Sequence, residues 1–518
     1  MKPPYHPNWR STRQAFGLIA GSPCLIALHA AELDFTLAAA NDNFALGSAF
    51  AAVGDWNDDG TDDFAVSDPQ LTADGFFSSG AAYIISGADG QILDEFGGEA
   101  SQSQFFGASL ASLDADGDGI TDLAVGAPYG QFYSGSVWIY SGADGSLILQ
   151  VTGSGFSQFG SALAPAGDQD GDGIDDLFVG APGQGRVEVI SGATGFQLWS
   201  VSSTEPTASF GVAIAPLGDI DGDSKPDLAV GAPGSRPDGA PVGQVALFGS
   251  SDQTRIANLS GNSLNNGLGA TLAAVDDSNN DGLPDLMVGS SSGGTCFVVS
   301  GTDLSIVHDL SIPNHPFAQP IVVGGGIDDD GDGFTDWLIG SPGFKVGPAG
   351  FFGGFRMISG EDGSLLLDVQ SDSPFTYLGK SLSILPGLGF VVGEPRLADT
   401  QTGGYGSAQF WKVDLVVDSD GDGVPDSEDA NPNSNTTPTI ELFGSDTGVE
   451  NRLDENGITL TDRFDSLPTP EELGNQGRFV TRFVDLIKDL EGADLISAAE
   501  ARAIRKAGIK ALARGSKK

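Results

Sequence analysis

The sequence is poor in cysteine, histidine and basic residues. Its 518 residues include two cysteines, four histidines and 24 lysines and arginines, against 70 aspartates and glutamates. Only Cys296 lies beyond the first 30 residues, which excludes a disulfide framework. The formal net charge of −46 disfavours nucleic acid and anionic lipid as partners, because both are polyanions that proteins bind through Lys and Arg.

Long apolar runs are scarce as well. Beyond residue 30 no stretch approaches 18 consecutive apolar residues, so we expect no transmembrane segment in the mature chain. At the N-terminus, Lys2, Arg10 and Arg13 precede an apolar run over residues 15–30. This pattern predicts a signal peptide over residues 1–30 and a secreted, extracellular or cell-surface protein. A buried N-terminal helix is the alternative, which the proline inside the run disfavours.

Glycine, in contrast, is abundant at 76 residues, and it marks an internal repeat. An apolar-Gly pair, a strand, an acidic loop and the motif Asp-Leu-x-Val-Gly-Ala-Pro recur along the chain, most clearly over residues 159–182. The acidic loops begin at Asp55, Asp114, Asp168, Asp219, Asp277 and Asp328. A seventh copy, over residues 378–395, keeps the frame without the acids. A period of about 55 residues is typical of radial repeats.

Each copy contains four short β candidates, which in the second copy are residues 108–113, 123–125, 135–140 and 146–151. Four strands per unit at this period predict an all-β fold, a seven-bladed β-propeller. The seventh copy ends after its third strand, whereas residues 33–37 have the pattern of a fourth strand. We therefore expect the N-terminal strand to complete the seventh blade and close the ring.

The acidic loops follow the pattern D-x-[DN]-x-D-G-x-x-D. Oxygens at positions 1, 3, 5 and 9, with the backbone carbonyl at position 7, can surround one hard cation, and glycine at position 6 permits the sharp turn. The fourth copy has Ser224 in place of that glycine. Calcium is favoured over magnesium because a cage of six to eight oxygens suits the larger ion. Water-exposed Asp-Gly turns are the alternative, which six copies in register disfavour.

A seventh acidic loop lies outside the array, over residues 418–429, and adds an acid at position 12. A calcium-stiffened connector or a plain acidic linker would both fit this loop. We expect up to six calcium ions in the propeller and one in the connector. The predicted metal ligands are Asp55, Asn57, Asp59, Thr61, Asp63, Asp114, Asp116, Asp118, Ile120, Asp122, Asp168, Asp170, Asp172, Ile174, Asp176, Asp219, Asp221, Asp223, Lys225, Asp227, Asp277, Asn279, Asp281, Leu283, Asp285, Asp328, Asp330, Asp332, Phe334, Asp336, Asp418, Asp420, Asp422, Val424, Asp426 and Asp429.

The Phe-Gly pairs at Phe106, Phe159 and Phe210, each followed by an acidic loop and Gly-Ala-Pro, resemble the FG-GAP repeat of the integrin α-chain N-terminal propeller. The resemblance covers residues 32–415, and the outlying loop resembles one thrombospondin type 3 repeat. The resemblance to the integrin α-chain propeller implies seven blades, calcium in the hairpins between first and second strands on one face, and ligand contacts on the opposite face. Copies one, five and seven have Leu-Gly, copy six lacks the pair, and no integrin leg is visible, so an integrin function is not transferred whole.

The opposite face is predicted to carry aromatic side chains in its loops. Such loops on a rigid propeller suit recognition of a protein or a glycan. Aromatic side chains at these positions also often fill gaps between blades. The candidates are Phe76, Phe77, Tyr129, Phe132, Tyr133, Phe344, Phe351, Phe352, Phe375, Tyr377 and Tyr405.

The sequence thus predicts a signal peptide (1–30), a propeller (31–415), a calcium connector (416–432) and a linker with a helical C-terminal region (433–518). In that region Phe479, Phe483 and Ile487 recur at helical spacing, and Ser497 and Glu500 match a capping box. The predicted function is a calcium-binding adhesion or binding module for protein or glycan, without catalytic residues. An extracellular hydrolase or lyase acting on polysaccharide or phospholipid, and a structural envelope or matrix component, are the alternatives.

Overall fold

A computed structural model describes the greater part of the chain. The described residues are 32–38, 45–72, 78–98, 104–205, 208–237, 239–261, 266–312, 322–327, 335–347, 350–360, 363–371, 377–385, 389–394, 407–412, 439–442, 445–450, 460–465, 476–492 and 495–515. The predicted signal peptide and the connector loop at 418–429 lie outside these residues. The acidic loop of the sixth copy also lies outside them, apart from its last two residues.

Within the described residues, strands form seven antiparallel four-stranded sheets, the blades of a β-propeller. The predicted seven-bladed fold is therefore confirmed. The strands of blades 1 to 4 are Phe50–Gly54, Asp63–Asp68, Ala81–Ile85 and Ile92–Gly97; Ser109–Leu113, Asp122–Ala127, Ser136–Tyr140 and Leu147–Thr152; Leu163–Gly167, Asp176–Ala181, Arg186–Ile190 and Gln197–Ser202; Ala213–Leu217, Asp227–Ala232, Gln244–Phe248 and Arg255–Ser260. Those of blades 5 to 7 are Leu268–Val275, Asp285–Ser290, Cys296–Val299 and Ile306–Asp309; Val322–Ile327, Asp336–Gly347, Gly350–Ile358 and Leu365–Gln370; Leu382–Leu385, Gly389–Glu394, Ser407–Lys412 and the N-terminal strand Glu32–Ala38.

Burial along each blade explains its sequence pattern. The second strand lies inside its sheet with a neighbouring blade on each face, so every residue of Asp122–Ala127 is buried. Such strands read as continuous apolar runs. The fourth strand lies at the outer edge, and Leu147–Thr152 is accordingly exposed or partly exposed throughout. The short loops between strands use glycine at positive φ, for example Gly145 at 70° in the turn between the third and fourth strands of blade 2.

The ring closes through the N-terminal strand. Glu32–Ala38 pairs antiparallel with Ser407–Lys412, with Leu37 opposite Ala408, and completes the seventh sheet. The first strand of each blade contacts the first strand of the next blade, and that of the seventh contacts that of the first. The prediction of three C-terminal strands plus one N-terminal strand is confirmed. Hydrogen bonding between the two ends of the propeller thus joins them without a disulfide.

The Phe-Gly and Gly-Ala-Pro motifs lie where adjacent blades approach most closely. A Cβ atom on Gly126 would lie 2.2 Å from the carbonyl oxygen of Gly160 in the next blade, so no larger residue fits. Phe106 and Phe159 are buried at 0% and 1% exposure in the interblade cores. The motif therefore sets the spacing between blades, which in turn sets the positions of the loops on both faces.

The C-terminal residues form a second compact unit with its own core. A hairpin of Thr439–Leu442 and Ser445–Glu450 accompanies three helices, Leu460–Asp465, Gln476–Gly492 and Ala498–Gly515. The capping box is present, because the Ser497 backbone N–H donates to Glu500 Oε2 (2.7 Å) and the Glu500 N–H donates to Ser497 Oγ (3.3 Å). The sequence pattern did not reveal the hairpin. No helix among the described residues is both long and apolar enough to cross a membrane.

Candidate metal centres

The acidic loops connect the first and second strands of the blades, and the strands determine where each loop begins and ends. Position 9 is the first residue of the second strand in blades 1 to 6 and is buried, with 0 or 1% exposure. These residues are Asp63, Asp122, Asp176, Asp227, Asp285 and Asp336. A carboxylate held at the start of a buried strand has little freedom to move, so each loop is anchored at one end.

Backbone N–H groups wrap around the carboxylate at position 1 in every described loop. In blade 2, Asp114 accepts the N–H of Gly117 through Oδ1 (2.7 Å) and that of Gly119 through Oδ2 (3.0 Å). The position-6 N–H makes the same bond to position 1 in blades 1, 3, 4 and 5. Position 6 has φ between 71° and 91° in all five loops, including Ser224 at 71°. The glycine predicted at this position therefore serves the turn, as expected.

The carboxylate at position 9 has a second role that the sequence pattern did not reveal. Asp122 Oδ2 accepts the N–H of Ala115 in its own loop (2.8 Å), and Oδ1 accepts the N–H of Gly142 in the turn between strands three and four (2.9 Å). The corresponding pair of bonds occurs in blades 1, 3, 4 and 5, and the bond to the turn also occurs in blade 6. The carboxylate at position 9 thus links the acidic loop to the turn between strands three and four through hydrogen bonds.

Close backbone approach explains why glycine recurs in that turn. A Cβ atom on Gly142 would lie 2.2 Å from the carbonyl oxygen of Thr121, and one on Gly192 would lie 2.0 Å from that of Asp175. The glycine therefore lets the turn come close enough to donate to position 9. Ser-Gly pairs that begin this turn at Ser86, Ser141, Ser191, Ser300 and Ser359, after the acidic loop of each of these blades, were the sequence signal for this contact.

Carboxylates converge in three of the loops. In blades 2, 3 and 4, one oxygen from each of positions 1, 3 and 9 lies within 4.8 Å of the other two. The clusters consist of Asp114, Asp116 and Asp122; Asp168, Asp170 and Asp176; and Asp219, Asp221 and Asp227. Hard carboxylate oxygens are the ligands that calcium and magnesium prefer. Each of these clusters could therefore hold a metal ion.

The other predicted ligands have a more varied status. The carboxylate at position 5 accepts the N–H of position 7 in blades 1 to 5, as Asp118 does from Ile120 (2.8 Å). Metal ligation by position 5 and by the carbonyl of position 7 remains a prediction. So does ligation in blades 1 and 5, where position 3 is Asn57 or Asn279. Outside the described residues lie Asp328, Asp330, Asp332, Phe334, Asp418, Asp420, Asp422, Val424, Asp426 and Asp429.

Burial and mutual repulsion make the position-9 carboxylates costly to ionise without a cation. Burial, with a smaller contribution from nearby loop carboxylates, raises the pKa of Asp122 and of Asp176 to about 6 against the lowering effect of the backbone N–H donors. Burial also raises the pKa of Asp63, Asp227 and Asp285. A bound divalent cation would favour the ionised forms, so the donor set fits a hard cation electrostatically as well as chemically.

The opposite face carries the connections between strands two and three and between successive blades. Three predicted aromatic residues in these connections are exposed, Tyr129 (38%), Phe132 (90%) and Tyr133 (53%), and Tyr377 is partly exposed. Phe156, which is 71% exposed, is a further surface aromatic residue that was not among the candidates predicted from the sequence. Three other candidates lie in blade-6 strands: Phe344, Phe351 and Phe352. The remaining candidates lie outside the described residues: Phe76, Phe77, Phe375 and Tyr405.

Parts of the propeller are similar in sequence to known proteins. The FG-GAP repeat family model matches residues 106–140 and 210–248, which cover the core of blades 2 and 4. The ring is an integrin-alpha-like FG-GAP β-propeller. Integrin alpha-V of Gallus gallus is 33% identical over 228 residues, which are 38% of this chain and 20% of that protein.

Other relatives agree with this assignment. Integrin alpha-5 of Xenopus laevis is 34% identical over 207 residues, 35% of this chain and 19% of that protein. Integrin alpha-PS2 of Drosophila melanogaster is 30% identical over 237 residues, 40% of this chain and 17% of that protein. The chain thus matches about a fifth of the length of these relatives. The likeness of this FG-GAP propeller to the integrin alpha chains is a likeness of one part of each protein.

Proposed function

We propose that the protein is a secreted or cell-surface calcium-binding β-propeller that acts as an adhesion-type binding module for a protein or glycan ligand. The observation that carries this proposal is the convergence of three carboxylates in each of blades 2, 3 and 4. On this proposal the acidic loops form the metal face of the ring. The connections on the opposite face form the ligand face.

Electrostatics supports the metal part of the proposal. Three carboxylates within 4.8 Å of one another repel each other strongly when all are ionised. Burial, and to a smaller extent this repulsion, raises the pKa of Asp122 and of Asp176 to about 6 despite the nearby backbone N–H donors. Calcium would remove the repulsion and join the loop to the second strand. By the sequence pattern, up to six ions bind in the propeller and one in the connector loop.

The architecture supports the binding part. A closed ring of seven sheets is a rigid platform, and loops on a rigid scaffold suit recognition. The named relatives of this propeller are integrin alpha chains. The N-terminal basic residues and the apolar run after them support export from the cell.

Calcium titration of the full chain tests the metal face. We expect calcium to raise the Tm of the chelator-treated protein, because a ligand at 100 times its Kd stabilises a site by about 2.7 kcal/mol. Asp168→Ala should lower the number of ions bound in isothermal titration calorimetry. Asp144→Ala is the matched control, since Asp144 lies on the same face outside the clusters. A Tm that millimolar calcium does not move would contradict the calcium assignment.

Binding to arrays of glycans and extracellular proteins, with calcium and with a chelator, tests the ligand face. We expect retention of at least one ligand with calcium and weaker retention without it, because ordered loops hold the blades in place. Absence of any retained ligand would contradict the binding module. Turnover of a polysaccharide or phospholipid would instead establish a hydrolase or lyase.

A further inference from the structure

An aromatic cluster lies on the ligand face of blades 2 and 3. It consists of Phe105, Tyr129, Phe132, Tyr133 and Phe156. Tyr129 packs edge-to-face against Phe105, with ring centroids 5.0 Å apart, and against Tyr133, at 5.6 Å. Phe132, next to Tyr133, is 90% exposed and Phe156 is 71% exposed. The fold does not use these two rings to fill a gap between blades. They present their faces to solvent.

Backbone hydrogen bonds join the segments that carry these rings into one surface. The Gln158 N–H donates to the Tyr133 carbonyl (2.9 Å). This bond joins the start of blade 3 to the connection between strands two and three of blade 2. The Gln184 side-chain amide donates to the carbonyls of Ser154 (3.0 Å) and Gly155 (3.1 Å). The aromatic cluster is therefore held on ordered backbone from two blades.

The backbone of the cluster adopts conformations that aromatic residues rarely take. Phe132, Tyr133 and Phe156 have φ values of 63°, 67° and 57°. In blade 3 the connection between strands two and three has positive φ only at Gly185, at 61°, which directly precedes the third strand as Gly135 (77°) does in blade 2, so the left-handed Phe132 and Tyr133 have no counterpart there. A left-handed conformation costs a bulky L-residue about 1 to 2 kcal/mol, which glycine avoids. Blade 2 thus bears both the strain and the exposure of these rings, a combination that marks a ligand site rather than a simple connection.

The segments that carry Tyr129, Phe132, Tyr133 and Phe156 are uncharged, although the chain has a net charge of −46. Residues 124–143 and 145–167 contain no Asp, Glu, Lys or Arg. An anionic or cationic ligand would find no opposite charge in these segments, and a protein partner would gain little electrostatic steering from them. The exposed or partly exposed polar groups beside the rings are carboxamides and hydroxyls, among them Ser154, Gln158 and Gln184.

We propose that this cluster binds a neutral carbohydrate. The C–H groups on one face of a sugar ring carry small positive charge and are attracted to the negative face of an aromatic ring. Phe132 and Tyr133 would stack against sugar rings, and the neighbouring amides and hydroxyls would bond to sugar hydroxyls. This inference rests on the proposed binding function and names the ligand class for its ligand face.

Isothermal titration calorimetry of the full chain against cellohexaose, xylohexaose and chitohexaose tests the inference. We expect saturable binding of at least one of the three by the wild type. Phe132→Ala and Tyr133→Ala should each weaken it at least tenfold. Phe196→Ala should bind like the wild type, because Phe196 is equally solvent-exposed (76%) but lies in a turn on the metal face.

A second variant separates loss of the site from loss of the fold. Phe132→Gly removes the ring and relieves the positive φ, so binding should be lost while the Tm stays equal or rises. A fall in Tm for this variant would show that the ring serves stability, which would overturn the inference. So would binding that both Phe132 variants retain.

The remaining outcomes distinguish the inference from the proposed function. If the wild type retains an extracellular protein but none of the neutral oligosaccharides, the inference fails and the binding module stands. If Phe132→Ala abolishes self-association in sedimentation experiments instead, the cluster is an interface between copies and the inference fails. If oligosaccharide binding depends on Phe132 but calcium leaves the Tm unchanged, the inference stands and the calcium assignment fails.

Discussion

Asp175, in the acidic loop of blade 3, exchanges two hydrogen bonds with Asp114, in the acidic loop of blade 2. The Asp175 N–H donates to the Asp114 carbonyl (3.0 Å), and the Asp114 N–H donates to Asp175 Oδ2 (3.2 Å). Asp114 is also a member of the blade-2 carboxylate cluster. The candidate metal loops of blades 2 and 3 are therefore in direct contact.

Replacing Asp175 should loosen this contact. We expect Asp175→Ala to lower the free energy of unfolding by about 0.5 to 1.5 kcal/mol in urea denaturation of the chelator-treated protein, because the Asp114 N–H loses its acceptor. Asp62→Ala is the control. Asp62 is exposed and occupies the same loop position in blade 1, and its replacement by alanine removes the same charge. Equal stabilities of the two variants would show that the contact contributes nothing.

Ser224 is expected to be a weak point of the fourth loop. It occupies position 6 at φ 71°, where four other described loops have glycine. Ser224→Gly should raise the free energy of unfolding by about 0.5 to 1 kcal/mol, because glycine adopts this φ without steric cost. Ser224→Ala keeps the Cβ atom and should leave stability unchanged. The idea fails if thermal denaturation shows no difference between the two variants.

The strand that closes the ring should matter for the whole propeller. Leu37 is 2% exposed and packs in the core shared by blades 7 and 1. Leu37→Ala should lower the free energy of unfolding by about 2 to 4 kcal/mol, as expected for a buried leucine. Leu147→Ala, on an outer strand at 47% exposure, should have a much smaller effect. Deletion of residues 33–37 should lower the Tm of the ring, and an unchanged Tm would refute the role of this strand.

Asp68 should make stability depend on pH. It is fully buried in blade 1, Oδ2 has no hydrogen-bond partner among the described residues, and burial raises its pKa to about 7. For an acid whose folded pKa is raised, the stabilising contribution is complete below the unfolded pKa, near 4, and is lost as pH rises through 7. The Tm of Asp68→Asn relative to wild type should therefore rise between pH 5.5 and pH 8. A constant difference over this range would contradict the shift.

Most of the fold could be predicted from the sequence, because each repeat is defined by residues close together in the chain. The β candidate at 108–113 became Ser109–Leu113, and the other three candidates of that blade agree with its strands within two residues at each end. The closing strand was also predictable, since residues 33–37 continue the pattern that the seventh copy interrupts. The hairpin Thr439–Leu442 and Ser445–Glu450 was not, because its strands are short and occur once, so no repeat reinforces their weak pattern.

The candidate metal centres were predictable in position and less so in detail. Spacing alone identified Asp122 as an acid of the loop. It did not show that Asp122 also accepts the N–H of Gly142, 20 residues later, since that contact depends on the pairing of three strands. Similarly, Phe132 was recognised as a surface aromatic, but its positive φ and its neighbour Phe156 were not.

The sequence by itself determined the number of blades, the placement of the acidic loops and the glycines that permit the sharp turn in those loops, because each depends on short-range spacing. Only the tertiary structure decided which carboxylate oxygens converge, which loops touch across blades and which aromatic rings remain exposed. These depend on contacts between residues of different strands and blades. Such contacts exist only after the ring has closed, when packing buries one set of side chains and leaves the other in water.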